Sequence, residues 1–260
     1  LDHNFMRRLR SFCEEIKPGF ALVGEVLFGD YNLIVNNEML HSCTNYECYK
    51  GLYSSFNSMN LFEIAPLIKP PIRTGAVVHL QRKASHDFAD NHDVTRLASI
   101  LTNKRHIPLA YGLLFGMPGI PCIYYGSEWG EEGTKSPDND YALRPCFDAP
   151  KPNDLTDLIR RLIALRRESD ALCSGSYRNI VITNHQLIFE RKTEKEQFLV
   201  AVNASDCEFT AGHHELNGTY EQILSFENET ITSGKDTSVQ ELNGQLVLPA
   251  YSIRYLKRAL

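Results

Sequence analysis

The sequence has no long hydrophobic run. Its longest apolar stretch, around Ile107–Cys122, is broken by Gly and Pro and falls short of the roughly 18 residues a membrane-spanning helix requires. No C-x-x-C pair occurs either. The seven cysteines, an odd number, stand singly. That argues against a disulfide framework and a structural zinc site, and predicts a reducing, cytoplasmic setting. A basic surplus is also missing: 27 Lys and Arg face 32 Asp and Glu, a net charge of −5, so nucleic acid is not an expected partner. The chain opens Leu1-Asp2-His3 with no basic or apolar leader pattern. Internal repeats and low-complexity segments are absent. What remains is a globular composition, 43% hydrophobic and 23% charged over 260 residues. This excludes a disordered chain and allows one large α/β domain or two ordinary ones.

The first element is a helix: Asp2 is a good N-cap, Phe5, Leu9, Phe12 and Ile16 recur at helical spacing, and Pro18-Gly19 ends it. A chain that opens on a helix cap is expected to be part of something longer. An apolar strand, Phe20–Val26, follows, with the continuous pattern of a strand buried on both faces. Gly29 to Tyr53 reads as polar loop and short helical pieces. Leu61–Ile68 is apolar at helical spacing, and Ala76–Leu80 extends it. Ser85–Asp93 and Ile120–Tyr125 are further strands, with a helix over Lys104–Met117 between them. Asn153 or Asp154 caps a helix carrying Leu155, Leu158, Ile159, Leu162, Ile163 and Leu165. This alternation predicts an α/β fold with a parallel sheet covered by helices over residues 1–172. From about Cys173 the pattern changes to short β runs: Asn179–Thr183, Leu187–Arg191, Phe198–Asn203, Gln245–Leu248 and Ser252–Leu256. The pairs Asn217-Gly218, Ser233-Gly234 and Asn243-Gly244 read as turns. Residues 173–260 are therefore expected to form an antiparallel β-sandwich without catalytic residues.

Three carboxylates stand where apolar strands end: Glu25, Asp93 and Glu128. In parallel α/β architectures the active site lies at the carboxyl ends of the strands. Glu25 sits inside an apolar strand, where burial would raise its pKa as a general acid requires. A structural salt bridge is the competing reading. His92-Asp93 has a rival in His86-Asp87, and spacing alone does not choose between them. Both residue types ligate metals, but no H-x-x-x-H accompanies them, so no metal is expected. His213-His214 lies among polar residues and reads as solvated. Phe28, Tyr46 and Trp129 could stack on a ligand. Phe28 and Tyr46 read as ordinary aromatic packing, whereas Trp129, the sole tryptophan, reads as the rim of a site.

Taken in order, three segments resemble later motifs of glycoside hydrolase family 13, the α-amylase family. They are Gly24-Glu25-Val26, then Phe88-x-x-Asn91-His92-Asp93-x-Thr95-Arg96-Leu97, then the run Gly119 to Gly130 containing Tyr124-Tyr125-Gly126-Ser127-Glu128-Trp129. Leu143-Arg144-Pro145 and the helix Leu158–Glu168 followed by Gly175-Ser176-Tyr177 are similar to it as well. The resemblance covers essentially the whole chain and is nearest the neopullulanase, cyclomaltodextrinase and α-glucosidase branch. It implies the fifth to eighth units of a (β/α)8 TIM barrel followed by the C-terminal sandwich. It implies a retaining glycosidase on α-1,4 or α-1,6 glucosidic bonds, with an oligosaccharide as partner. Glu25 then corresponds to the general acid/base and Asp93 to the carboxylate that stabilises the transition state. His92, Asn91, Trp129 and Arg144 correspond to substrate-binding positions. The family's Arg-Leu tail follows Asp93, not Asp87, and so selects His92-Asp93.

The resemblance also implies a gap. The family's nucleophilic Asp stands in a Gly-x-Arg-x-Asp context, which this sequence lacks. Asp2 does not fit: no Arg lies two residues before it and a helix follows at once. The chain is thus expected to begin just past the nucleophile and, alone, to be inactive. A half barrel leaves two sheet edges open, so a homodimer is an expected way to close them. No cofactor is expected. Calcium occurs in parts of the family, but Asp138-Asn139-Asp140 is the sole weak candidate and no EF-hand run exists. An α-glucan transferase or isomerase on the same scaffold shares the covalent intermediate and is the alternative activity. A non-catalytic sugar- or partner-binding member would be expected to lose Glu25 or Asp93, and both are present.

Overall fold

The computed structural model describes residues 2–27, 29–65, 85–234 and 238–260. Helix α1 (His3–Ile16) starts where expected, with the Asp2 carboxylate accepting from the amides of Asn4 and Phe5 at 2.9 and 3.1 Å. Four short strands follow: β1 (Val23–Gly24), β2 (Ser42–Asn45), β3 (His86–Phe88) and β4 (Ile120–Cys122). They pair in chain order and all in parallel, with Val23 beside Ser42, Thr44 beside His86 and His86 beside Ile120. Helices α2 (Tyr46–Asn57), α3 (Leu97–Ile100), α4 (His106–Gly116), α5 (Asp154–Arg167) and α6 (Asp170–Ser174) complete the α/β part.

Two sequence expectations are corrected here. Gly29–Tyr53 holds a strand, β2, beside the expected loop and short helical pieces, among them the start of α2, which Asn45 caps by accepting from the Cys48 amide at 3.1 Å. Helix α2 then buries Cys48, Leu52 and Phe56. The strand expected over Phe20–Val26 shrinks to two residues. It is not buried on both faces, because β1 is the outermost strand and Phe20, Val23 and Leu27 stand exposed at its free side. The expected helix over Leu61–Ile68 and Ala76–Leu80 lies largely outside the described residues.

The remainder is one seven-stranded antiparallel sheet: β5 (Ser176–Ile182), β6 (Gln186–Lys192), β7 (Glu196–Asn203), β8 (Phe209–Glu227), β9 (Thr230–Ser233), β10 (Val239–Leu248) and β11 (Ser252–Ala259). Its order is β10-β8-β11-β7-β6-β5, with β9 beside β8. Alternation gives the sheet two apolar faces. Ile188, Leu199, Ala201, Leu216, Tyr220 and Leu246 close on one another as the sheet folds over itself. Leu187, Phe189, Phe198, Val200, Ile253 and Tyr255 share a single core with α2, α4 and α5. Gly112 on α4 makes that packing possible, since a Cβ there would lie 2.4 Å from the Ile253 side chain.

Two Asn-Gly pairs expected as turns are not turns. Asn217-Gly218 and Asn243-Gly244 face each other across the β8–β10 ladder, Asn217 beside Asn243. The register slips there, with His213–Leu216 standing opposite the single Gly244. Gly218 and Gly244 take φ of +113° and +78°, values that a bulge demands and that side chains resist.

Candidate active site

The site is assembled at the carboxyl ends of the parallel strands. Glu25 directly follows β1, Tyr46 directly follows β2, and Asn91, His92 and Asp93 follow β3. Arg144 comes from the long loop after β4. The β1–β2 register, Gly24 beside Cys43, brings residues 25 and 46 to the same rim. The ligating atoms of Glu25, His92 and Asp93 lie within 4.8 Å of one another. The Tyr46 hydroxyl donates to Glu25 Oε1 at 3.0 Å and accepts from Asn91 Nδ2 at 3.1 Å. Asn91 Oδ1 accepts the Asp93 amide at 2.8 Å, which turns the Asp93 side chain. Arg144 Nη2 donates to Asp93 Oδ1 at 2.9 Å, and its Nε donates to the His92 carbonyl at 3.3 Å. His92 Nε2 stands 3.4 Å from Asp93 Oδ2.

Burial lifts the Tyr46 phenol above its ordinary value. The Asn91 hydrogen bond works against the lift and the Glu25 carboxylate adds to it. Tyr46 therefore stays a neutral donor at neutral pH and holds Glu25 toward the cluster. Sequence reasoning read Tyr46 as ordinary packing. Its ring does pack edge-on against Phe88 at 5.0 Å, but its hydroxyl is the bridge between Glu25 and Asn91. The Asn45 cap and the Cys48/Leu52/Phe56 period were the signal that could have placed it at a helix start beside a strand end.

One expectation about Glu25 fails. Its carboxyl group is exposed, not buried, because β1 is the sheet's outer strand and nothing among the described residues covers it. Glu128 does not join the cluster: its charge is felt by Asp90 and Tyr111 instead. Trp129 also keeps other company. Its Nε1 donates to Glu131 at 3.0 Å and its ring meets Phe147 edge-on at 5.1 Å. Rings run from His92 through Tyr124, Tyr125 and Phe147 to Trp129, with neighbouring centroids 4.7–6.3 Å apart. Phe28 lies outside the described residues. His86 and Asp87 sit six residues earlier, on β3 itself, bonded to Ser42 and to Ser85 and Asn45.

Chemically, the cluster offers two carboxylates, an imidazole and a guanidinium on an open rim. A carboxyl group can deliver a proton, and the others can grip neighbouring hydroxyls. Glu25, His92 and Asp93 are also close enough to hold a cation, although Asp93 is already ion-paired with Arg144. Asp140 of the weak calcium candidate is occupied by Lys135 at 3.2 Å and Arg144 at 3.3 Å.

The fold that carries this cluster is shared with known proteins. Residues 1–160 match the model of the alpha amylase catalytic domain, and residues 180–259 match that of the alpha amylase C-terminal all-beta domain. The chain is 25% identical to a cyclomaltodextrinase of Thermoanaerobacter pseudethanolicus over 87% of its own length and 39% of that protein's. It is 31% identical to a cyclomaltodextrin glucanotransferase of Niallia circulans over 56% of its length and 20% of that protein's. Among solved structures, the α-amylase of Geobacillus thermoleovorans complexed with acarbose superposes with a TM-score of 0.77 at 19% identity, covering 99% of this chain and 57% of that one. The chain thus spans well under two thirds of the proteins it matches. Its four parallel β/α units are half of the family's (β/α)8 barrel, its antiparallel sheet is the family's C-terminal domain, and the chain belongs to the α-amylase family.

Proposed function

We propose that this chain carries the acid/base side of a retaining glycosidase acting on α-1,4 or α-1,6 glucosidic bonds of maltodextrin-type oligosaccharides. Glu25 protonates the glycosidic oxygen as the bond breaks. Asp93 and His92 bind sugar hydroxyls, in hydrogen bonds that tighten as oxocarbenium character develops. Asn91 and Arg144 orient Asp93, and Trp129 lies at the outer rim. Residues 1–172 form the barrel part and 173–260 the sandwich, which contributes no catalytic group. The observation that carries this reading is the convergence of Glu25, His92 and Asp93 within 4.8 Å at the strand ends.

The retaining route needs a second carboxylate as nucleophile, about 5–5.5 Å from the acid, and no segment of this sequence has the Gly-x-Arg-x-Asp context. We expect the chain by itself to bind oligosaccharide weakly and not to turn it over. Titration with maltotriose followed by NMR should shift Tyr46, Asn91–Asp93 and Arg144, and Asp93→Asn should abolish the shifts. Unmoved signals would overturn the reading. Incubation with a nitrophenyl maltoside and with maltodextrin should give no turnover above a Glu25→Gln control. Turnover clearly above it would mean that a nucleophile lies within the chain.

A transferase reading draws on the 31% identity to a cyclomaltodextrin glucanotransferase. Water and sugar compete for one intermediate, so product analysis of an active form separates the two. A cytoplasmic setting is the reading that the seven free cysteines favour.

A further inference from the structure

Arg96 is fully buried, and its guanidinium ties together two separate stretches of chain. Nη1 donates to the Tyr125 carbonyl at 2.7 Å and to Ser127 Oγ at 3.1 Å, and Nη2 donates to the Leu143 carbonyl at 2.8 Å. The plane lies over the Tyr124 ring, 4.3 Å from its centroid. Its own amide donates to the Gly133 carbonyl at 2.8 Å. Ser127 Oγ in turn donates to the buried Asp90 carboxylate at 2.6 Å, and Asp90 supplies the counter-charge. A charge this deep is tolerated only when paired and hydrogen-bonded, so the surrounding loop has little freedom to move away from it. Leu143 immediately precedes Arg144, and Tyr124 is the ring neighbouring His92.

We propose that Arg96 is a positioning residue of the candidate site: it locks the Tyr124–Ser127 turn and the Leu143 carbonyl to the segment after β3, and thereby sets Arg144 on the Asp93 carboxylate. The inference deepens the glycosidase reading above and rests on it for the meaning of Asp93. A lysine could keep the charge over Tyr124. It could not reach the Tyr125 and Leu143 carbonyls together, because an ammonium lacks the planar fork of a guanidinium.

Hydrogen exchange on the wild-type chain in a graded urea series tests this without a variant. The amides of Arg96, Ser127, Gly133, Leu143 and Arg144 should open as one unit. Opening of residues 133–144 well before Arg96 and Ser127 would overturn the proposal. In Arg96→Lys, the Nε–Hε signal of Arg144 should exchange at least tenfold faster. Arg191→Lys, at a buried arginine on β6, should leave that signal unchanged. Equal acceleration in both variants, or none in Arg96→Lys, would reduce Arg96 to general stability. Neither measurement needs turnover or sugar, so its failure is distinct from failure in the maltotriose titration.

Discussion

Asp87 is buried between β2 and β4, with Asn45 Nδ2 and Ser85 Oγ both donating to its Oδ1, at 2.8 and 2.5 Å. Burial pushes its pKa up from 3.8 to about 6, against the pull of those two donors and of Arg166. The folded chain therefore holds this proton more tightly than the unfolded one. Linkage then makes stability fall as pH rises from about 4 to about 6. The full span corresponds to roughly 3 kcal/mol, of which roughly 1 kcal/mol is lost between pH 5 and pH 7. Asp90, lifted by burial as well, acts in the same direction. Glu196, whose pKa is lowered by Ala171, Ser169 and Lys257 despite burial, acts in the opposite one. Asp87→Asn should remove the Asp87 part alone. In urea titrations the variant should gain stability relative to wild type on going from pH 5 to pH 7, and a pH-independent difference would contradict this account. At the site, Tyr46→Phe should free the Glu25 carboxylate at a cost to the fold of about 1 kcal/mol or less, with the loss of the Glu25–Asn91 link visible in NMR shifts of the Asn91 side-chain amide.

The carboxyl end of helix α4 is where the two halves of the fold are joined. Arg166 from α5 donates to the carbonyls of Phe115 at 2.5 Å, of Met117 at 2.8 Å, and of Gly119. Arg191 from β6 donates to Gly116 at 2.9 Å, and the Tyr255 hydroxyl of β11 donates to Gly112 at 2.5 Å. A helix leaves its last four carbonyls without partners and gathers negative potential there; the two buried arginines answer both needs, and the Tyr255 phenol adds a donor one turn earlier. Arg166→Met should lower stability by about 3 kcal/mol, seen as a reduced urea midpoint, because the carbonyls stay buried without donors. Arg166→Lys should recover only part of it. Elements of this kind differ in how far the sequence reveals them. Helices α1 and α5 combine a cap with an apolar period, and α5 adds Asp154 and Asp157 at its start and Arg166 and Arg167 at its end, so both are legible. Strands β5–β7 alternate plainly. Strand β2 is four residues, Ser42-Cys43-Thr44-Asn45, with Thr44 its one strand-favouring residue, and its neighbours β1 and β3 make it a strand. Glu25, Asn91, His92, Asp93 and Arg144 were nameable from motif resemblance. The roles of Tyr46 and Arg96 were not, because they depend on strand register and on a loop returning some thirty to fifty residues later.

Across the whole molecule, the apolar surface is unevenly covered. Phe5, Phe12 and Ile16 of α1 are 59–69% exposed, and Phe20, Val23 and Leu27 in and around β1 are exposed as well. Exposed large apolar side chains in such number mark an interaction surface, and among the described residues β1 pairs on one side only. The chain alone should therefore self-associate. Sedimentation velocity should show a mass rising above 29.5 kDa with concentration, and Phe12→Glu with Ile16→Lys should suppress the rise. A concentration-independent monomer would show that the face stays open in water. Strand β11 lies in the middle of the antiparallel sheet, between β7 and β8, and reaches α4 through Tyr255. This strand is translated after every element it joins. A nascent chain that has reached Tyr251 already carries Glu25, His92, Asp93 and Arg144, yet its sheet is still in two pieces and its shared core still lacks Ile253 and Tyr255. A message truncated just before the Ser252 codon would thus yield a polypeptide with every candidate site residue present and a core that cannot close, a substrate for cellular proteases before it could meet a sugar.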